Sequence, residues 1–354
     1  MPGVARLPFS LLEIRRLFDA LDWAEMARQV DQEARAGVAI VGPVNSGKST
    51  LFNRLKGREV SPVAAVPGTT REVLQEQWGP FTLLDTPGFG EVAGVDRATV
   101  ALQAVRNADV IVLVLDAVAG VRQPDYMLLQ QLRSSGKPVI VVMNKIDLIE
   151  GEARDLDTVL ADARDKLGEP ELIPISARHG TNVATGLMPR LIDARPALAV
   201  ALGRALPAYR RRAANKVIRN ASVFNAFVGA QPIPVLDIPF LLAAQARMVL
   251  RIGAIFGEPM DLQHARELTA TIAGGLAVRF LAEQGAKAIP GAGWLIAGSI
   301  ASAGTWALGQ VAVQYFEHGK KLTPEQLQAR FGELFHKRRA NRRQARQAAK
   351  GERG

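Results

Sequence analysis

The segment Gly42-Pro43-Val44-Asn45-Ser46-Gly47-Lys48-Ser49 constrains the fold of this chain more than any other. It has the Gly-x-x-x-x-Gly-Lys-Ser spacing of a phosphate loop, closes a β-branched run, Val38–Val41, and opens a segment of helical character. A loop of that kind works only when a strand delivers it and a helix receives it. Its glycines then let the backbone wrap a phosphate with the N–H groups pointing inward. Asn45, Ser46, Gly47, Lys48, Ser49 and Thr50 are therefore candidate nucleotide-binding residues. Lys48 supplies a cation for the β- and γ-phosphates, and the Ser49 hydroxyl is a hard oxygen ligand for Mg²⁺. The spacing specifies a nucleoside triphosphate but not its base.

Further short apolar runs follow at Phe81–Leu84, Val110–Leu115, Val139–Met143 and Leu172–Ile175, separated by helix-length segments. That alternation predicts an α/β domain with a mostly parallel sheet covered by helices on both faces. The chemistry-bearing sequences stand at the C-terminal ends of the runs, where an open α/β sheet binds its ligand. Asn144-Lys145-Ile146-Asp147 ends one run. A carboxylate at Asp147 would accept hydrogen bonds from the guanine N1–H and exocyclic amine, a donor pair that adenine lacks. Asn144 would meet the N7 and O6 edge, and the Lys145 stem would cover a face of the base. Asp85-Thr86-Pro87-Gly88 ends another run, with Asp85 placed to hold Mg²⁺ through water and the Gly88 N–H to meet the γ-phosphate. Ser176-Ala177-Arg178 closes the base pocket through its backbone. These ordered segments point to a guanine-nucleotide site with GTP and GDP as its ligands.

On these motifs the region from about Gly37 to Ala194 resembles a translation-factor-class small GTPase domain, nearest to the Era, Der and TrmE branch. The resemblance implies GTP hydrolysis and Mg²⁺. It also identifies Pro67-Gly68-Thr69-Thr70-Arg71 with the first switch, so Thr70 is the Mg²⁺-binding threonine and Thr69 the fallback. Glu72 departs from the Asp common after that Arg. Lys48, Thr70 and Gly88 are the expected catalytic contacts, together with Asn45. Asn45 matches the asparagine that, in that branch, helps to coordinate K⁺ between the phosphates; the other reading of Asn45 is a turn stabiliser. Where Ras-like proteins place a water-orienting Gln this chain has Phe89, which cannot hydrogen-bond a water. Slow basal hydrolysis is the expectation, accelerated by K⁺, a partner or GTP-dependent homodimerisation.

Beyond Pro196 the character changes. Residues 1–200 carry 22 Lys/Arg against 25 Asp/Glu, and residues 201–354 carry 22 against 9, so the second half is the source of the net charge of +10. Such asymmetry suggests an anionic partner, lipid or nucleic acid. With no cysteine in the chain, disulfides and thiolate metal sites are excluded. The expected organisation is an amphipathic helical lead-in over 1–36, a GTP-binding domain over 37–196, a basic linker over 197–220, an all-α domain over 221–319 and a basic tail over 320–354. Residues 288–316 hold no charged side chain across 29 positions, long enough for a membrane span of roughly 20 residues, or for a buried helix of a soluble bundle started by Pro290 and Gly291. The apolar region Phe224–Ala246 contains Asp237 and a cluster of prolines and is not expected to span. Pro232-Ile233-Pro234-Val235-Leu236-Asp237 and Ile289-Pro290-Gly291-Ala292-Gly293, with Gln245-Ala246-Arg247-Met248 and Phe256-Gly257, resemble a YcjF-type C-terminal domain. That resemblance implies membrane association, hence a cytoplasmic protein at the inner face of a membrane. Ribosome or RNA association of the Era and Der type is the alternative.

Overall fold

The structure is a computed structural model that describes residues 16–57, 75–84, 105–149, 155–230, 238–258, 293–319 and 322–351. The chain divides into two compact units, Arg35–Ala201 and the combination of Met1–Ala34 with Leu202–Gly354.

In the first unit, strand β1 (Val38–Val41) is buried along its whole length, because it has a parallel neighbour on each side, β3 (Phe81–Leu84) and β4 (Val110–Asp116). β4 continues to β5 (Val139–Asn144), which pairs with β6 (Ile173–Pro174), all parallel. β2 (Gln75–Trp78) is antiparallel to β3 and caps the edge, giving the order β2-β3-β1-β4-β5-β6. The expected mostly parallel sheet is therefore present. β2 has no apolar run to announce it: Gln75, Glu76 and Gln77 are polar, and pairing at a sheet edge makes them a strand. The run Leu172–Ile175 shortens to a two-residue strand, and Pro174 suits this edge position because it has no N–H to donate.

Helix α1 (Trp23–Glu33) precedes the sheet, and α2 (Lys48–Leu55), α3 (Gln123–Arg133), α4 (Leu156–Leu167) and α5 (Met188–Ala194) alternate with its strands. Leu113, Leu115, Leu129, Met143, Leu160 and Leu167 are fully buried in one cluster, where the sheet meets α3 and α4. Each such side chain contributes about 1.5–3 kcal/mol of burial. Strands adjacent to β1 run on to opposite sides of the sheet, so the C-terminal end of β1 is the point where the connections diverge and a crevice opens. The phosphate-loop sequence starts there.

The second unit is helical. It contains α1, α7 (Arg210–Gly229), α8 (Ile238–Ile255), α9 (Gly293–Glu317) and α10 (Pro324–Gly351), and α6 (Pro196–Ala205) leads into it. α1 starts at the N-cap Asp22, whose carboxylate accepts from Glu25 N at 2.9 Å, and buries Trp23, Met26, Ala27 and Val30 at helical spacing. It packs against α8, where Arg251 grips Glu33 through Nε and Nη2 at 2.6 and 2.5 Å and Arg247 donates to Gln29 Oε1 at 2.6 Å. The lead-in therefore belongs with the C-terminal helices, not with the sheet that follows it in sequence.

The stretch 197–220, expected as a basic linker, is mostly helical. α7 buries Ala213, Ala214, Val217 and Ile218 on one face, which leaves Arg211, Arg212 and Arg219 exposed. The basic tail is helical too: α10 buries Leu327, Phe331 and Phe335, spaced one turn apart. Among the described residues, two helices are long and apolar enough to cross a membrane, Ile238–Ile255 with mean hydropathy 1.5 and Ile296–Glu317 with 1.2. The first of these was not expected as a span. Within the unit 67% and 72% of these windows are buried, as core helices would be.

α9 lies close against α7. A Cβ on Gly298 would come within 2.5 Å of Ala226 O, and one on Gly309 within 2.5 Å of Ile218 Cγ1, so only glycine admits this approach. At the centre of the apolar contact stands Thr305, fully buried. Its hydroxyl donates to Ala301 O at 2.9 Å and accepts from Asn225 Nδ2 of α7 at 2.7 Å and Gln245 Nε2 of α8 at 3.2 Å. Replacing Thr305 by Val strands two buried amide donors, at about 1–3 kcal/mol each. Thr305→Val should lower the urea midpoint clearly, whereas Thr305→Ser, which keeps the hydroxyl, should lower it much less.

Candidate functional site

Gly42 leaves β1 with φ +151°, and a Cβ there would meet Val114 O at 2.1 Å, so the chain turns out of the sheet only as glycine. Asn45 follows in the left-handed region at φ 62°, a conformation that asparagine tolerates better than most residues. Gly47, at φ 89°, turns the chain into α2 and provides no side-chain cap. The dipole of α2 favours a negative charge at this end. Lys48 is buried at 4% exposure, and its Nζ donates to Pro43 O at 2.9 Å, which centres the ammonium within the loop. Ser49 and Asn45 are exposed, Thr50 is half-buried, and the buried Ser46 Oγ has no hydrogen-bond partner among the described residues.

Asn144 ends β5 and ties the loop to the rest of the site. Its Nδ2 donates to Ser46 O at 2.9 Å, and its Oδ1 accepts from Ala177 N at 2.8 Å. An amide carries two N–H donors, so a second Asn144 donor is left beside this bond among the described residues. Lys145 takes the left-handed φ of 68°, and its Nζ meets Asp116 Oδ2 at 2.6 Å, which lays the stem along the pocket. Asp147 follows in a 3₁₀ turn, Ile146–Leu148, and its carboxylate lies 3.7 Å from His179 Nε2. Gly47, Thr50, Asn144, Lys145, Asp147, Leu148 and Arg178 line a cavity of about 380 Å³, within the range of small-ligand pockets.

Ser176, Ala177 and Arg178 form a turn closed on itself. Gly180 N donates to Ser176 O at 2.7 Å, Ser176 N to Thr181 O at 3.1 Å, and His179 N to Ser176 Oγ at 3.1 Å. Expected site residues from the phosphate loop, the Asn144–Asp147 motif and this turn therefore meet around one cavity. Thr70, Asp85, Gly88 and Phe89 lie outside the described residues. Asp116, Arg54, His179 and Leu148 also take part and were not anticipated. Asp116 alone had a signal, as a carboxylate ending the apolar run Val110–Leu115.

A parallel sheet with a glycine-bounded phosphate loop at its divergence point, facing a carboxylate-bearing base pocket, defines a P-loop GTPase fold. Residues 37–145 match the family described as 50S ribosome-binding GTPase, and residues 196–340 match a domain of unknown function, DUF697. Residues 37–145 thus resemble the Era- and Der-like GTPases, and a DUF697 match lies on their C-terminal side. GTPase Der of Desulforudis audaxviator is 39% identical over 211 residues, covering 57% of this chain and 46% of that protein. GTPase Der of Salinispora tropica is 41% identical over 171 residues, covering 45% and 35%. The chain thus spans about half or less of the length of these curated relatives. Among solved structures, Era of Aquifex aeolicus bound to GDP and AlF4− is 31% identical, at a TM-score of 0.37, over 53% of this chain and 66% of that one.

A Cβ at Gly47 would lie 2.1 Å from Asn144 Nδ2. Gly47→Ala should therefore break the Asn144–Ser46 tie and strain the backbone, at a cost of about 1–3 kcal/mol. A urea titration of the unliganded protein should show this, with Gly57→Ala, also at positive φ but in open space, as the control for backbone strain alone.

Proposed function

We propose that this chain binds guanine nucleotides and hydrolyses GTP slowly to GDP and phosphate, and that its nucleotide state governs a membrane-associated helical C-terminal region. The observation that carries the nucleotide part is Asp147 in the same cavity as Gly47, the first residue before α2. The carboxylate would pair with the guanine N1–H and amine, while the Lys48 ammonium and the α2 N-terminus receive the phosphates. Adenine in that pocket would leave the carboxylate unpaired, a large penalty.

In hydrolysis a water oxygen attacks the γ-phosphorus, the bond to the β–γ bridging oxygen breaks, and the leaving charge settles on GDP. Lys48 would stabilise that charge, and the α2 N–H groups would hold the β-phosphate in place. The exposed Ser49 hydroxyl fits a hard cation, with Thr70 and Asp85 as its expected companions. When bound, Mg²⁺ neutralises charge on the phosphate oxygens. Asn45, exposed on the left-handed bend of the loop, would assist a K⁺ ion in the place of an arginine finger.

The membrane part draws on how the apolar surface of the helical unit is distributed. The contacts of Gly298 with Ala226 and of Gly309 with Ile218 set α9 antiparallel to α7, and those of Gln245 with Thr305 and of Gly253 with Phe316 set α8 parallel to α9. The exposed Phe224 and Phe227 of α7, Phe240 of α8 and Ile296 of α9 therefore collect at one end of the bundle. The described part of α9 is uncharged until Glu317. An apolar, aromatic end suits the headgroup–acyl boundary of a bilayer, and the basic helix α10, which runs antiparallel to α9 toward that end (Arg330 at Gln314, Arg338 over Trp306), suits anionic lipid. A second reading, ribosome association, is favoured by the description of the family that residues 37–145 match.

Calorimetry should show GDP binding at least about a hundredfold tighter than ADP, with Asp147→Asn abolishing that preference; equal affinities would end the guanine reading. Phosphate release should be faster in K⁺ than in Na⁺ at equal ionic strength, and Asn45→Ala should erase the difference. In fractionated cells the protein should stay with membranes through a high-salt wash and leave in detergent. Release by salt with co-sedimentation on ribosomes would favour the second reading instead.

A further inference from the structure

We propose that Arg54 is a positioning residue for base recognition: it locks the Ala177–Arg178 turn onto the helix that follows the phosphate loop. The proposal rests on the guanine-nucleotide reading above. Arg54 stands in the last turn of α2, half-buried. Its Nε donates to Ala177 O at 3.1 Å and its Nη2 to Arg178 O. Among the described residues no carboxylate pairs with it, so its donors serve two backbone carbonyls 123 and 124 residues away.

The turn leaves those carbonyls for Arg54 by its own closure. Ser176 O is taken by Gly180 N, and Ser176 Oγ by His179 N, whereas the oxygens of residues 177 and 178 point outward toward α2. Ala177 is thus held at both ends, its N–H by Asn144 Oδ1 at 2.8 Å and its C=O by Arg54. Arg178 lines the base cavity, and Thr50, one helical turn before Arg54 on α2, lines it as well. One face of α2 therefore begins at the phosphate loop, forms a wall of the base pocket and braces the opposite wall. Two carbonyls on successive residues match the fixed fork of a guanidinium, and a lysine ammonium presents no such planar pair. Any shift of α2 that follows phosphate binding is carried through this brace to the base wall, which makes the two halves of the site cooperative.

The test compares the full-length protein with Arg54→Lys and Arg54→Ala, using GDP and inorganic pyrophosphate as probes. Pyrophosphate reports on the loop and α2 without a base. Arg54→Ala should weaken GDP by about tenfold or more, with pyrophosphate affinity changed by less than about twofold; Arg54→Lys should fall between. Hydrogen exchange of unliganded Arg54→Lys should quicken at residues 176–181 and not at 38–41. Parallel loss of both ligands would overturn the proposal, since Arg54 would then merely support α2, and so would unchanged GDP affinity. If the wild-type protein shows no preference for GDP over ADP, the guanine reading fails first; with that preference intact, an inert Arg54 fails alone.

Discussion

The side chain of Asn144 bridges two loops that are otherwise remote. It is 2% exposed, at the end of β5, and it donates to the phosphate loop at Ser46 O while accepting from the base turn at Ala177 N. Each of those backbone groups is out of reach of water, so each needs this partner. The bridge requires β5 to run on past the end of β1, which the register through β4 provides: Val41 pairs with Leu113 and Leu113 with Val141, while Asn144, three residues further, pairs with Asp116. Gly47 completes the constraint, since any side chain there would occupy the amide's place. Sheet register, loop glycine and buried amide thus depend on one another.

The helical unit follows a different rule. Its helices meet through small residues at Gly298 and Gly309, and a single hydroxyl, Thr305, accepts from side-chain amides of two neighbouring helices. Apolar packing of long helices tolerates sliding, whereas a buried hydrogen-bonded group has one low-energy position. Thr305 therefore specifies the register of α7, α8 and α9 in a contact surface that shape alone leaves under-determined. The chain crosses between the two units twice, after Ala34 and after Ala201, so the strand leading to the phosphate loop starts just beyond a helix clasped by Arg251 and Arg247.

The sheet and the binding motifs were legible because their signals are local. A buried parallel strand must be apolar throughout, and a phosphate loop must carry glycines where φ is positive, so Val38–Val41, Gly42 and Gly47 declare themselves. The quartet Asn144–Asp147, three of whose residues line the cavity, was legible for the same reason. The polar edge strand Gln75–Trp78 was not, because its pairing comes from β3 and not from its own composition. The helices of 197–220 and 324–351 were read as linker and tail because their charges outweigh a narrow buried face in any count by composition.

Sequence alone determined the parallel sheet and the strand-end residues that gather around one cavity, since steric and hydrogen-bonding demands on a few consecutive residues select those residue types. Only the tertiary structure decided that Arg54 braces the base turn, that Asp116 holds Lys145, that the N-terminal helix joins the C-terminal unit and that Thr305 joins three helices. These interactions join residues tens to hundreds of positions apart. An arginine in a helix or a threonine in an apolar run carries no local mark of the distant group it will meet, because the partner is set by how the elements pack.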